Sequence, residues 1–538
     1  MRHFYPHFSV LSTGLRLGGL VLWGLVASTG MTLADDISAG QRIYRDGLLP
    51  SGKPLTALVA GDVPMLGTQF SCQSCHGRSG MGSLEGNYIV PPIAGQFLFA
   101  ASPQPKRPAY DEKSLARVLE SGVTPSGRTL DPLMPRFVLS EQEVAALTAY
   151  LRTLSARNSP GVDQKVIRFA TVITDDVTGD EREAVMRILN TYAANKNRKT
   201  RLDDQRIDRG YTPDSKLPTV FREWKIDEWR LTGPVDTWNA QLEAYYRKAP
   251  VFVLLGGISH QSWGPMDRFC ERHEIPCLFP STDLPETRSG DFYTLHFSEG
   301  LYLDVGLIAR DLLDRDRHST KDQKVLQISC SANGRMAAHR LHSELDTHRI
   351  KLEDLEFDCE HDAPSKLAES LKARKNDTLI LWLDRKGLDR VKPVLPQQAT
   401  LYLSSTLLNR DLEGLAFPET DQVLIAHPYH LPGQMDSAMR RFQLWARLRH
   451  IPVTHPRYQS EAFFACLTIN DVLKHMGRFF IRGFVLDMLD HAQGLAAYVP
   501  LYPQPSFGPG QRFLAKGGYL LPIRQGQPQT RDARWITP

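Results

Sequence analysis

Two cysteines and a histidine stand within five consecutive positions in the stretch SCQSCHGRSG, near the start of the chain. Cys72 and Cys75 are separated by two residues, and His76 follows directly. This C-x-x-C-H order suits covalent attachment of haem c, because the two thiols can reach both vinyl groups of one porphyrin while the histidine falls under the iron. A redox dithiol, half of a zinc site and chance are the competing interpretations.

The neighbouring sequence separates these interpretations. A zinc site needs two further ligands, and residues 35–156 contain no other cysteine or histidine. A thioredoxin-like dithiol needs a strand followed by a helix, whereas glycine and proline punctuate the run before the motif. Met134 stands 58 residues after His76 in the proline-rich loop DPLMPRF, which suits a sixth iron ligand. Met65 and Met81 are the rival candidates. The sequence therefore favours one covalent haem c with iron bound by His76 and Met134.

Three helices are predicted around the motif from their capping signals. Their apolar positions recur at helical spacing, as in SEQEVAALTAYLRTL near the end of this region. The signals are Ser38 with Gln41, Asp111 with a stop at Gly122, and Ser140 with Glu143.

The stretches AGQRIY, CQSCHG, PPIAG, GRTLDPLMPRF and LSEQEVAALTAYLRTL occur in this order, and with them residues 38–156 resemble a monohaem, His/Met-ligated cytochrome c. The resemblance implies that the two cysteines of the motif form thioether bonds and that His76 and Met134 are the iron ligands. It also implies that the Pro92 carbonyl accepts a hydrogen bond from the His76 ring, fixing the orientation and basicity of the ring.

The same resemblance implies an all-α domain over residues 35–156, in which Gly40 and Tyr44 of the first helix meet Tyr150 of the last. One segment departs from the family pattern. It is the long run DGLLPSGKPLTALVAGDVPMLGTQF, between the first helix and the haem motif.

The amino terminus predicts export. Arg2 and Arg16 precede the apolar run LGGLVLWGLVASTG, and a small-residue cleavage site ends at Ala34. This order is typical of a secretory signal peptide over residues 1–34, and the apolar run is shorter than the ~20 residues of a membrane-spanning helix. We expect a mature periplasmic protein without a membrane span after cleavage.

Length and charge limit the function classes. A chain of 538 residues is too long for one hydrophobic core. Its net charge of +4 is spread thinly and gives no footprint for nucleic acid. We therefore expect a multidomain protein that does not bind nucleic acid.

A polar segment, residues 157–164, is predicted to link the first domain to a second domain over residues 165–538. In the second domain strand patterns alternate with helix patterns, as in KVIRFATVIT followed by DEREAVMRILNTYAANK. Such alternation predicts α/β structure with parallel sheets, and the length predicts two lobes around a cleft.

The stretches GGIS, CERHEIPCLFPST, SANGRMAAHRLHSEL and YPQPSFGPGQRFLAKGGYLLPI make this second domain similar to the type 1 periplasmic binding proteins, which include branched-chain amino-acid receptors. The resemblance implies a small-molecule ligand between the lobes. Helix caps and turns are the alternative role for the residues expected there. Those residues are Ser259, His260, Ser281, Thr282 and Ser331.

Five of the seven cysteines lie outside the haem motif. An oxidising compartment favours disulfides, and the pairs Cys270–Cys277 and Cys330–Cys359 are one hypothesis. Cys466, inside the apolar stretch EAFFACLTI, is then the remaining thiol.

The chain shows no motif of a hydrolase, metalloprotease or phosphate-binding loop. We therefore expect an electron-transfer protein rather than an enzyme, with a subunit role beside a dehydrogenase as one form of it. Its partner is expected to be a periplasmic dehydrogenase or oxidase, while the second domain senses a solute or docks the partner. The alternative is a periplasmic solute receptor whose cytochrome domain reports redox state.

Overall fold

The computed structural model describes residues 33–538 apart from 86–87, 104–105, 209–221, 318–322, 347, 349, 375–377, 421, 493, 495–497 and 509. The predicted signal peptide lies outside the described residues except for its last two positions, and export stays a prediction. Among the helices that are described, none has the length and apolar character needed to cross a bilayer.

The first domain combines helices with short strands, so the expectation of an all-α domain is wrong. Its helices are α1 (Leu33–Asp46), α2 (Cys72–His76), α3 (Gly95–Leu98), α4 (Glu112–Ser121) and α5 (Glu141–Thr153). Its strands are β1 (Thr56–Val59), β2 (Val63–Leu66), β3 (Ser83–Glu85), β4 (Tyr88–Val90), β5 (Ser102–Pro103), β6 (Lys106–Arg107) and β7 (Arg136–Val138).

The segment that departs from the family pattern forms most of this β-structure. Strands β1 and β2 make an antiparallel hairpin, and β1 pairs on its other side with β7. Gly61 and Asp62, in the turn, both have positive φ, 81° and 61°. Glycine adopts this conformation freely and aspartate tolerates it, so the tight turn brings two β-favouring runs together.

Two of the three predicted helix caps are present, at Asp111 and Ser140. The Asp111 carboxylate accepts a hydrogen bond from the Ser114 N–H at 2.8 Å, and the Ser140 hydroxyl accepts one from the Glu143 N–H at 3.4 Å, as expected. The cap predicted at Ser38 is wrong, because α1 already begins at Leu33 and has acidic residues in its first turn. Negative charge there stabilises the positive end of the helix dipole.

The first and last helices cross as the resemblance implied. A Cβ on Gly40 would lie 2.1 Å from the Ala146 carbonyl oxygen, so only glycine allows this approach. The rings of Tyr44 and Tyr150 pack beside it, with 5.5 Å between their centroids.

The second domain has two lobes, each built on its own sheet. In the first lobe every strand pairing is parallel. Its strands are β8 (Val166–Thr174), β9 (Glu223–Leu231), β10 (Val253–Leu255), β11 (Ile258–Ser259), β12 (Cys277–Leu278), β13 (Ser281–Thr282) and β14 (Thr294–Leu295). Its helices are α6 (Gly179–Asp208), α7 (Trp238–Lys248) and α8 (Gly264–His273).

The chain then enters the second lobe, whose sheet is parallel apart from the strands that close its carboxyl-terminal edge. Its helices are α9 (Leu301–Arg317), α10 (Ala332–Leu345), α11 (Pro364–Ala373) and α12 (Arg385–Val391). Its strands are β15 (Lys324–Ser329), β16 (Lys351–Glu356), β17 (Thr378–Trp382), β18 (Thr400–Ser404), β19 (Gln422–His427), β20 (Gly518–Arg524), β21 (Gln527–Pro528) and β22 (Arg534–Ile536).

Between β19 and β20 the chain returns to the first lobe, so it passes between the lobes three times. The returning helices contribute to the hydrophobic core that also holds the first-lobe strands. These helices are α13 (Met435–Arg447), α14 (Pro456–His475) and α15 (Arg482–Asp490). The predicted two-lobed α/β architecture is confirmed by this arrangement.

One of the two predicted disulfides is present. Cys330 and Cys359 form a disulfide, whereas Cys270 and Cys277 remain free, buried thiols. Cys466 is also a free, buried thiol, as expected. Cys270 and Cys277 lie in an apolar core cluster of the first lobe, where cysteine packs as a small hydrophobic residue.

Candidate haem site and its contact with the second domain

The haem motif occupies a short helix, α2, that consists of the motif alone. Cys72 and Cys75 are one helical turn apart and therefore project from the same face. Cys72 is buried and Cys75 is exposed, so the pair faces the boundary between the core and the surface. His76 ends the helix and is 4% exposed. The donor set, two thiols on one turn beside a buried imidazole, fits a covalently attached haem.

The His76 ring is oriented by a backbone carbonyl, but not by the predicted one. Its Nδ1 lies 2.9 Å from the oxygen of Pro91 rather than Pro92. The N–H groups of Ile93 and Ala94 both donate to the Gly80 oxygen at 2.8 Å, and these bonds fix which carbonyl of the two prolines faces the ring. The sequence locates the Pro-Pro pair but does not show this choice.

This hydrogen bond determines which ring nitrogen is available to a metal. With Nδ1 donating to the Pro91 carbonyl, Nε2 is the nitrogen that could bind iron. Burial lowers the pKa of His76, and the bond to Pro91 opposes part of that shift. The ring is therefore neutral near pH 7, which is the form that ligates metals.

Met134 lies in a turn that the unexpected hairpin supports. The Met134 N–H donates to the Asp131 oxygen at 2.9 Å, and β7 begins two residues later. Strand β7 pairs with β1, and Arg136 forms an ion pair with Asp62 in the hairpin turn. Met134 packs against the same core cluster as Cys72. The hairpin thus anchors the loop that carries the proposed sixth ligand.

The loop directly after His76 is held by the second domain. The carboxylate of Asp487, on α15, accepts hydrogen bonds from the Arg78 N–H at 3.0 Å and the Ser79 N–H at 2.9 Å. From the other side, the Tyr44 hydroxyl donates to the Gly77 oxygen at 2.7 Å. Gly77 has a φ of 74°, and a Cβ there would lie 2.6 Å from the Asp487 carboxylate. The approach therefore requires glycine.

Two arginines extend this contact. The Arg78 guanidinium stacks 4.6 Å from the ring centroid of Phe292 and 5.2 Å from that of Tyr293. Arg45 of α1 pairs with Glu274, with 3.0 Å between Nη1 and Oε1. Arg78 thus joins the loop after His76 to the first lobe.

The five residues predicted near a solute take part in local structure. The Ser331 hydroxyl caps α10 by accepting from the Gly334 N–H at 3.1 Å. The hydroxyls of Ser259 and Thr282 accept N–H groups two residues later, both at 3.1 Å. His260 Nε2 lies 3.1 Å from Glu181 Oε2.

Ser281 is buried in β13, and its side chain faces that of the buried Glu461. Caps, turns and internal pairs therefore account for all five predicted residues, as the alternative role anticipated.

Sequence reasoning missed the charged cluster between the lobes. Asp283, just after β13, binds Arg457 of α14 through Oδ1–Nη2 and Oδ2–Nη1 contacts of 2.6 and 3.0 Å. Arg410 of the second lobe reaches the same carboxylate at 2.5 Å. Burial disfavours the charge on Asp283, but the two guanidiniums outweigh it and lower the pKa of the carboxyl. Asn409 and Arg410 have φ of 51° and 65°, a rare non-glycine conformation that aims Arg410 at the first lobe.

A second carboxylate, Asp304 of α9, lies in the adjoining network. Its Oδ2 accepts hydrogen bonds from the Ser404 hydroxyl at 2.5 Å and the Thr406 N–H at 3.2 Å. The Thr406 hydroxyl in turn lies 2.9 Å from that of Tyr429, over whose ring Arg410 stacks. Burial raises the pKa of Asp304 to about 7, although these hydrogen bonds oppose the shift.

Comparison with known proteins agrees with the geometry of the first domain. The family model of cytochrome c matches residues 66–155, which include the thiol pair, His76 and Met134. This segment is a cytochrome c domain. Such a domain implies a covalently bound electron-transfer haem. No protein of curated function matches the sequence.

Solved structures similar to this chain include substrate-binding proteins of transporters. A branched-chain amino-acid transporter protein from Thermus thermophilus with bound valine is 13% identical, with 70% of this chain and 98% of that chain covered and a TM-score of 0.45. A leucine-binding protein from Thermotoga maritima is 10% identical, with 69% and 99% covered and a TM-score of 0.44. An extracellular ligand-binding receptor from Rhodopseudomonas palustris is 12% identical, with 70% and 100% covered and a TM-score of 0.43. These likenesses concern the fold alone.

Removal of the Asp487 carboxylate should loosen the cytochrome c domain from the first lobe. In Asp487→Ala the N–H groups of Arg78 and Ser79 lose their buried acceptor, and we expect the free energy of unfolding to fall by about 2 kcal/mol. Trypsin should also cleave after Arg78 faster. Thermal unfolding and limited proteolysis of the haem-loaded protein measure both effects. Asp471→Ala removes a half-exposed carboxylate from α14 and is the control; equal behaviour of the two variants would contradict the assigned contact.

The raised pKa of Asp304 predicts a pH effect on stability. Between pH ~4, where an unfolded aspartate ionises, and pH 7, the folded state keeps a proton that the unfolded state has lost. Stability contributed by Asp304 therefore decreases as pH rises through this window.

Asp304→Asn has no such titration, so its stability relative to the native chain should increase by about 2 kcal/mol from pH 5 to pH 8. Urea unfolding at both pH values measures this change. Asp436→Asn, at an exposed carboxylate, is the control. A difference between Asp304→Asn and the native chain that stays constant with pH would show that Asp304 is already ionised in the folded protein.

Proposed function

We propose that this chain is a periplasmic electron-transfer protein. One haem c is attached at Cys72 and Cys75, and its iron is ligated by His76 and Met134. When bound, the haem supplies reversible one-electron transfer. The observation that best supports this proposal is the C-x-x-C-H helix whose histidine Nδ1 is held by the Pro91 carbonyl, 2.9 Å away.

The chain's own residues prepare the site for outer-sphere transfer. The Pro91 carbonyl orients His76, and the β1–β2–β7 sheet holds the loop that presents Met134. If His76 and Met134 both bound the iron, no ligand position would be open to a substrate. This argues for an electron carrier rather than an oxygenase or peroxidase. The donor or acceptor would be a periplasmic dehydrogenase or oxidase that docks near Cys75, the exposed cysteine of the motif.

The second domain is proposed to position the cytochrome c domain and to dock its partner. Its Asp487 binds the loop next to the proximal histidine, and Glu274 binds the first helix. A ligand-gated receptor is less well supported, because the carboxylate of Asp283 is already bound by arginines from both lobes. Docking therefore explains the fusion of the two domains better than solute sensing does.

Covalent attachment is tested by removing the thiols. The double variant Cys72→Ala/Cys75→Ala should lose the haem stain that survives denaturing electrophoresis, because no thioether bond can form. Cys466→Ala removes a buried thiol far from the motif in sequence and should keep the stain. Retention of the stain by the double variant would refute attachment at this motif.

Axial ligation is tested at the three methionines. Met134→Ala should lower the reduction potential by on the order of 100 mV, since axial ligands shift haem potentials within a range of ~0.8 V. The long-wavelength visible absorption band of methionine-ligated ferric haem should also disappear. Met65→Ala and Met81→Ala are the matched controls and should leave both properties unchanged. If either control variant behaves as expected for Met134→Ala, the sixth ligand is that methionine instead.

A further inference from the structure

A groove of about 680 Å³ opens on the first lobe between α6, α13 and α14. Its floor is aromatic. The ring of Tyr192 stacks on Trp224 at a centroid distance of 5.8 Å and lies 6.0 Å from Trp445. Trp445 in turn packs 4.9 Å from Phe463. Leu444, 54% exposed, continues the apolar surface at the rim. We call this surface the aromatic–basic groove.

The charge of the groove has one sign. Among its lining residues, all within the described part of the chain, six are basic and none is acidic. Lys474 has a carboxylate neighbour outside the lining, Asp471, at 3.6 Å. The basic residues are Lys196, Lys199, Arg222, Arg441, Arg449 and Lys474.

Two of these arginines, Arg222 and Arg449, each have a buried guanidinium nitrogen without a hydrogen-bond partner. Arg222 is 9% exposed; its Nε donates to the Asp163 oxygen at 2.5 Å, but its buried Nη1 has no partner. Arg449 donates through Nη1 to the Trp445 oxygen at 3.1 Å, while its buried Nε has no partner. An unpaired, buried charged donor costs free energy that an anionic acceptor would recover.

We propose that the aromatic–basic groove binds a small organic anion with a flat aromatic body, of the aromatic carboxylate class. The volume lies within the range of small-molecule sites. A carboxylate matches guanidinium geometry and completes the hydrogen bonding of Arg222. The aromatic body stacks on the floor formed by Tyr192, Trp224 and Trp445. This site shares no residue with the haem motif or with the charged cluster between the lobes.

The test uses the full haem-loaded protein and isothermal titration calorimetry with 2-naphthoate. We expect saturable binding with a dissociation constant below about 1 mM. The neutral isostere 2-naphthamide should bind at least about tenfold more weakly, because it lacks the charge. Equal affinity for the two compounds, or no saturable heat with 2-naphthoate, would overturn the proposal.

Variants locate the binding. Arg222→Gln should weaken 2-naphthoate binding about tenfold, since a charge-assisted donor is lost. Arg441→Gln removes an exposed lining charge and should weaken binding severalfold, whereas Arg440→Gln removes the neighbouring charge outside the lining and should not. The last pair keeps the test valid if Arg222→Gln does not fold. Equal effects of Arg441→Gln and Arg440→Gln would show that the anion binds elsewhere.

Discussion

The packing of the two domains depends on the hydrogen bonds to the buried carboxylate of Asp487. The N–H groups that donate to it, at Arg78 and Ser79, lie two and three residues after His76 and are separated from Asp487 by 409 and 408 positions in sequence. Buried N–H groups must find acceptors, and here the acceptor comes from another domain. The position of Asp487 itself is fixed by α15, whose apolar face lies in the first-lobe core. The first lobe therefore holds the loop after His76 in place. The cytochrome c domain packs against the second domain and is not merely tethered to it by the linker.

The features that the sequence predicts correctly depend on residues that lie close together in the chain. The caps at Asp111 and Ser140 depend on residues three positions apart, and the alternation of strands and helices in the second domain reflects periodicity within each element. Errors arose where several local solutions compete. Ser38 has the chemistry of a cap, yet α1 begins earlier. The run before the haem motif has β-favouring residues, but its pairing with β7 depends on residues more than 70 positions away.

Features that depend on tertiary approach left no such signal. Cys330–Cys359 and Cys270–Cys277 were equally plausible pairs in the sequence, and only the first is bonded, because backbone geometry decides disulfide formation. Pro91 rather than Pro92 faces His76 for the same reason. No local pattern marks Asp283 in the sequence. Its role depends on two arginines that are distant in sequence, one on a helix and one in a loop.

The segment between the domains connects the aromatic–basic groove to the haem side of the molecule. Arg222 binds the Asp163 oxygen at the end of the linker and stacks 4.2 Å from the ring of Phe480. The backbone of Phe480 exchanges hydrogen bonds with linker residues 158 and 159. Its neighbour Phe479 packs 5.0 Å from Phe97 of the cytochrome c domain. A continuous set of contacts therefore runs from Arg222 in the groove through the linker to the cytochrome c domain.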